Sequence, residues 1–166
     1  LALDLIGQAT LFLGYAGEVE GQTAQSGGRD ADALAFHRDA EDFRNCLLVE
    51  QPNGDFARTM ARQFLFSSYQ LALLERLCSS ADGRIAEIAA KAVKEVRYHA
   101  DLAADWVVRL GDGTAESRGR MIEGLDDCWR FLDDLFAMDE GERALAVAGI
   151  AADKAALRPE VQGRIE

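Results

Sequence analysis

The two histidines are the residues with the clearest potential for chemistry, because a carboxylate three positions before a histidine forms half of a di-iron site. In carboxylate-bridged di-iron bundles, Glu-x-x-His on each of two helices directs both side chains toward one metal pair. Three residues before His99 the sequence has Val96, and Glu95 lies one position further back. Three residues before His37 it has Leu34. Neither histidine therefore completes the motif.

Four positions still have a spacing related to such a site. Glu95 and His99 are four residues apart and share one helical face. Asp4 and Gly7 are three apart on the first predicted helix, where a Glu and a His could stand, but Gly7 has no side chain to offer a metal. We interpret Asp4, Gly7, Glu95 and His99 as degenerate ligand positions that mark a buried polar cluster. In it we expect Glu95 to pair with His99 or with an arginine of a neighbouring helix.

We interpret the other charged residues as structural and not as ligands or catalytic groups. A buried Asp4 needs a partner, and we expect Arg62 or Lys94 to provide it. Arg58 and Arg62 are four apart and could bind an anion, but such a pair more often forms an ion-pairing row. The acidic residues between 126 and 134 could suggest a calcium or magnesium site, but helical periodicity makes them an exposed polar face. Walker, GxGxxG, GxSxG and HExxH motifs are absent, so we predict no catalytic, cofactor-binding or metal-binding residue.

The composition indicates a single globular domain. The chain has 166 residues and a formal net charge of −11, which argues against nucleic-acid binding and against an anionic membrane surface. It has no apolar run of the roughly 18 residues that a membrane span needs. The three cysteines lack CxxC spacing, which favours free thiols in a reducing compartment. We therefore expect a cytoplasmic protein.

Apolar periodicity near 3.6 predicts an all-α protein. The first helix is apolar nearly all round, so we expect it to be buried among other helices, and a polar loop from Gly21 to Gly28 should follow it. The predicted helices run from Leu1 to about Val19, from Asp30 or Asp32 through Phe43, from Phe56 (capped by Asp55) to about Cys78, from Asp82 to a closing Gly111, from a Thr114 cap to Phe136, and over a short amphipathic piece from Glu142 to Ile150.

The organisation predicted from this pattern is a helical bundle over residues 1–138 with a C-terminal helical extension or docking tail over residues 139–166. The chain starts at Leu1 inside a helical pattern and without a Met. We therefore expect an excerpt of a longer protein whose bundle has a further, first helix.

Several segments of the chain are specific enough to compare with known families: LDLIGQA (residues 3–9), VEQPNGDFART (49–59) with ARQ (61–63), KEVRYH (94–99) and RLGDGT (109–114). Together they resemble the phenylacetate-degradation family, and within it the C-type subunits of multicomponent phenylacetyl-CoA ring 1,2-epoxidases. The resemblance covers most of the chain from Leu1 to Phe136.

The resemblance implies a ferritin-like, up-and-down helical bundle with a degenerate metal site. It implies a non-catalytic structural subunit of an aromatic-CoA oxygenase in aerobic phenylacetate catabolism. Such a subunit holds no cofactor itself and pairs with a related subunit that contains the di-iron centre; when isolated it could form a homodimer. Two alternatives stay open: a self-sufficient di-iron oxygenase with ligands outside this excerpt, and a helical module that binds acyl-CoA or a partner.

Overall fold

The computed structural model describes residues 1–23 and 27–166, which contain no β-strand, and the all-α prediction is confirmed. None of the helices in these two ranges is long and apolar enough to cross a bilayer. The described residues form eight α-helices: α1 (Ala2–Thr23), α2 (Ala31–Phe36), α3 (Leu47–Glu50), α4 (Phe56–Leu77), α5 (Gly83–Gly111), α6 (Ala115–Trp129), α7 (Glu140–Val147) and α8 (Arg158–Ile165).

Side-chain caps determine where most of these helices begin. An oxygen-bearing side chain before a helix can accept from the amides of its first turn, which have no partner inside the helix. Asp30, Asp55 and Thr114 cap α2, α4 and α6 as predicted. Asp82 accepts from two amides of α5. Asp139 forms a capping box at the start of α7.

The second predicted helix is shorter than expected. It was predicted to reach Phe43, but α2 ends at Phe36 and a 3₁₀ turn follows over Ala40–Asp42. The residues between them are polar and mostly exposed, so extending the helix would bury no further apolar surface. The predicted loop from Gly21 to Gly28 also starts later, because α1 continues to Thr23; its residues 24–26 lie outside the described residues.

The ends of α5 and α6 also differ from the predictions. Gly111 is the last residue of α5, and Asp112 is its C-cap. The next helix, predicted to reach Phe136, ends at Trp129 and is followed by a 3₁₀ turn over Asp133–Phe136. In this turn Asp134 accepts from the Leu47 amide at 2.8 Å, which supplies a partner for the start of the short helix α3.

The core lies on two sides of α4. One side packs against α6 and the C-terminal helices, where Leu65, Met121 and Leu157 are fully or almost fully buried. The other side packs against α5, with Leu71 and Val96 in a second buried cluster. The long helices α4 and α5 therefore form the scaffold on which the other elements are placed.

The segment from 139 to 166 packs against the bundle of its own chain. Leu157 and Val161 have no exposed surface and belong to the main core. Arg164 on α8 forms an ion pair with Glu75 on α4, with an N–O distance of 2.6 Å. Within the segment predicted as an extension or docking tail, α8 thus lies along α4.

The prediction that α1 is buried among other helices is wrong for the described chain. Leu3 is 82% exposed and Ile6 is 62% exposed, whereas Gln8 and Gly17 are the buried residues of this helix. The physical reason is that the inner face of α1 carries polar side chains that bond to α5. Leu3 and Ile6 on the opposite face are consequently left on the outside.

A close approach between α4 and α6 predicts opposite effects for two glycines of α6. A Cβ on Gly124 would lie 2.9 Å from the Arg58 Cα, whereas a Cβ on Gly119 would meet nothing within 4 Å. We expect Gly124→Ala to lower the free energy of unfolding by roughly 1–3 kcal/mol through overpacking. Gly119→Ala should raise it by about 0.5–1 kcal/mol through helix propensity. Urea unfolding measures the free energies of both variants. Equal effects of the two substitutions would contradict the close contact between α4 and α6.

Candidate functional site

A cluster of polar side chains lies inside the bundle where α1, α4 and α5 meet. Helix α1 contributes Asp4 and Gln8, α4 contributes Gln70, and α5 contributes Glu95 and His99. His99 has no exposed surface and Gln8 is 6% exposed. We call these five residues the interior cluster.

Hydrogen bonds join the interior cluster across the three helices. His99 Nε2 lies 2.8 Å from Asp4 Oδ2, and because a carboxylate can only accept, Nε2 carries the proton. Gln8 Nε2 donates to Glu95 Oε2 at 2.8 Å, and Gln70 Nε2 donates to Gln8 Oε1 at 3.2 Å. Within the described residues, the buried atoms His99 Nδ1 and Gln70 Oε1 have no hydrogen-bond partner.

The pairings differ from those expected from the sequence. Glu95 does not pair with His99 or with an arginine; it accepts from Gln8. Asp4 pairs with His99 and with neither Arg62 nor Lys94. The reason is that α1 and α5 run antiparallel. Asp4 and Gln8, four residues apart on α1, therefore lie opposite His99 and Glu95, four residues apart on α5. Each residue therefore finds its partner on the other helix.

The sequence analysis missed two cluster residues, Gln8 and Gln70. Gln8 also changes the position of the second ligand-like pair. Gly7 is exposed, and a Cβ there would meet nothing within 4 Å, so it lies outside the interior cluster. The inward residue is Gln8, three positions after the half-buried Leu5. The available signal was the amide side chain of Gln8 itself, which stands in an uncharged and mostly apolar run between Asp4 and Glu18.

The contacts between α1 and α5 change the acidity of the groups involved. The hydrogen bond from His99 holds the pKa of Asp4 below its usual range. Further along the helices, the Tyr15 hydroxyl donates to Asp82 Oδ2 at 2.5 Å. This bond raises the pKa of Tyr15 and lowers that of Asp82.

The donor set of the bundle interior differs from that of a di-iron centre. The pair at i and i+3 that ends at the buried Gln8 is Leu5 with Gln8, and the pair that ends at the buried His99 is Val96 with His99. These four positions supply one amide and one imidazole but no carboxylate, whereas a di-iron bundle needs Glu-x-x-His on both helices. Within residues 1–23 and 27–166, no three His, Cys, Asp or Glu side chains are grouped so that they could hold a metal ion.

Comparison with known proteins identifies the family of the chain. A family model described as "Phenylacetic acid catabolic protein" matches residues 1–166. The chain belongs to this family. It is also 47% identical, over 158 residues, to the Escherichia coli (strain K12) protein named as the C subunit of 1,2-phenylacetyl-CoA epoxidase. That match covers 95% of this chain and 61% of the relative's length. The resemblance predicted from the sequence motifs is confirmed.

In this member of the phenylacetic acid catabolic family, the paired arginines of α4 have internal partners. Arg58 forms an ion pair with Asp127 at 2.9 Å. Arg62 donates to the Gln51 carbonyl and to Asn53 Oδ1. The two side chains therefore hold α6 and the loop before α4 in place.

The acidic run likewise has separate partners instead of a shared centre. Asp127 pairs with Arg58 and Arg130. Asp133 pairs with Arg158 on α8 at 2.5 Å. Because the carboxylates face different partners, they do not converge on one point.

The Gln8–Glu95 bond predicts a stability difference between two neighbouring residues of α5. Glu95→Ala should lower the free energy of unfolding by roughly 1–3 kcal/mol, because it leaves the buried Gln8 amide without its acceptor. Lys94→Ala is the matched control: Lys94 is exposed, and its removal should change the value by less than about 0.5 kcal/mol. Urea unfolding measures the difference. Equal effects would show that the bond does not contribute to stability.

The Asp4–His99 bond predicts a pH dependence. Because folding lowers the pKa of Asp4, the bond contributes stability above the unfolded value of about 3.9. That contribution is lost as the pH falls through the lower folded value. When the pH is lowered from about 5 to about 2, the melting temperature of Asp4→Asn should therefore fall less than that of the unmodified chain. Asp101→Asn, at an exposed position of α5, should melt like the unmodified chain; parallel curves for all three proteins would refute the assignment.

Proposed function

We propose that this chain is a non-catalytic structural subunit of a multicomponent phenylacetyl-CoA ring 1,2-epoxidase in aerobic phenylacetate catabolism. The observation that carries the proposal is the interior cluster. In the two registers that end at the buried Gln8 and His99, where Glu-x-x-His would be needed twice, the chain has Leu5 with Gln8 and Val96 with His99. Family membership and the similarity to a protein named as the C subunit of such an epoxidase support the same assignment.

In this proposal, oxygen activation takes place in a related di-iron subunit, and this chain carries no cofactor. Its contribution is to pack against the catalytic subunit and stabilise it. The proposal includes a cytoplasmic location, which is supported by the free state of Cys46, Cys78 and Cys128.

The interior cluster supplies a physical reason why the bundle can fold without metal. In a metal-containing bundle, inward carboxylates repel each other unless a cation lies between them. Here Asp4 and Glu95 accept from His99 and Gln8 instead. Hydrogen bonds between α1 and α5 thus take the place of bonds to a shared cation.

Metal loading tests the non-catalytic assignment. The full-length protein, loaded anaerobically with ferrous iron, should remain folded and retain no stoichiometric iron. A variant that restores both motifs, Leu5→Glu/Gln8→His/Val96→Glu, should gain cobalt(II) binding, visible as ligand-field absorption. The control Ile6→Glu/Ala9→His/Val96→Glu places the first motif one position later, where both residues are exposed, and should not gain it.

The same protein is then mixed with the di-iron subunit and its reductase. Epoxidation of phenylacetyl-CoA should depend on adding this chain, although this chain holds no iron. Stoichiometric iron in the unmodified protein would favour the self-sufficient oxygenase instead. Iron-free protein without any effect on epoxidation would contradict the structural role and favour a separate helical binding module.

A further inference from the structure

The outer face of α1 is apolar and uncharged in a chain that is otherwise strongly acidic. No charged residue lies between Asp4 and Glu18, although the chain has a net charge of −11. Leu3 and Ile6 are 82% and 62% exposed, and the half-buried Leu13 follows on the same face. Single exposed apolar residues are ordinary on a protein surface, whereas an aligned group of them marks an interaction site.

A groove beside this face adds a specific polar feature. It lies between α1 and α5, has a volume of about 150 Å³, and is lined in part by Leu3, Asp4, Gly7, Lys91 and Glu95. Gly7 lines the groove, and a Cβ there would meet nothing within 4 Å, so there is room for a larger side chain at this position.

The charges of the groove define what could enter it. Asp4 Oδ2 and Glu95 Oε2 are occupied by His99 and Gln8. The second oxygen of each carboxylate accepts no hydrogen bond from the residues that the structure describes. The side chains that line the groove carry two carboxylates and one ammonium group, that of Lys91, so their summed charge is negative. It therefore favours a basic, hydrogen-bond-donating side chain.

We propose that a helix of the catalytic partner subunit docks on this surface. This inference rests on the proposed function. The helix would cover Leu3 and Ile6 with apolar side chains and insert one arginine or lysine over Gly7 toward Asp4 and Glu95. A second copy of this chain is the less suitable occupant. Two copies would each bring a net charge of −11 and place equivalent carboxylates next to each other.

Two substitutions test the surface without touching the interior cluster. Ile6→Lys puts a charge on the apolar face, and Gly7→Leu fills the groove without changing the charge. Each should raise the dissociation constant for the purified di-iron subunit about tenfold or more, because both act at a central contact. Val147→Lys is the matched control, since Val147 is 90% exposed on α7 and the change in charge is the same; its affinity should equal that of the unmodified chain.

Calorimetric titration of the full-length protein with the di-iron subunit separates the outcomes. If the unmodified protein does not bind, the proposed function fails. If it binds and Ile6→Lys binds equally well, the docking surface is overturned while the function stands. Two measurements on the protein alone, light scattering and thermal melting, give further outcomes that would overturn the docking proposal. A dimer that Ile6→Lys dissociates would assign the face to a second copy, and a melting temperature lowered by Ile6→Lys would assign it to a segment of the same polypeptide.

Discussion

The orientation of α1 depends on the requirement that buried polar groups form hydrogen bonds. Three contacts meet this requirement between α1 and α5: Asp4 with His99, Gln8 with Glu95, and Tyr15 with Asp82. They fix the rotation of α1 about its own axis. Leu3 and Ile6 consequently point outward, although an apolar helix would ordinarily turn such side chains toward the core.

The same constraint connects the fold with the proposed role. The interior cluster satisfies most of its donors and acceptors by itself, so the three helices can pack without a cation between them. The outer face of α1 is its counterpart, because it presents the exposed apolar side chains of Leu3 and Ile6, which a partner helix would remove from water. Both features fit the proposed role as a structural subunit.

The rest of the bundle keeps these two surfaces in place. Helix α4 packs against α5 on one side and against α6 and α8 on the other. The ion pair between Arg164 and Glu75 and the buried residues Leu157 and Val161 hold the C-terminal segment against α4. Because α5 is fixed by this packing, its carboxylate and imidazole reach α1 at constant positions.

The sequence by itself determined the features that depend on neighbours along the chain. Helix periodicity and caps such as Asp55 and Thr114 are local, and the missing carboxylate at Val96 can be read directly. Tertiary structure decided what depends on distant residues. The partners of Gln8 and Asp4 lie 87 and 95 positions away, and only the packed helices select Gln8 over Gly7 as the inward residue. The exposure of α1 follows from that choice, because turning one face of a helix inward turns the opposite face out.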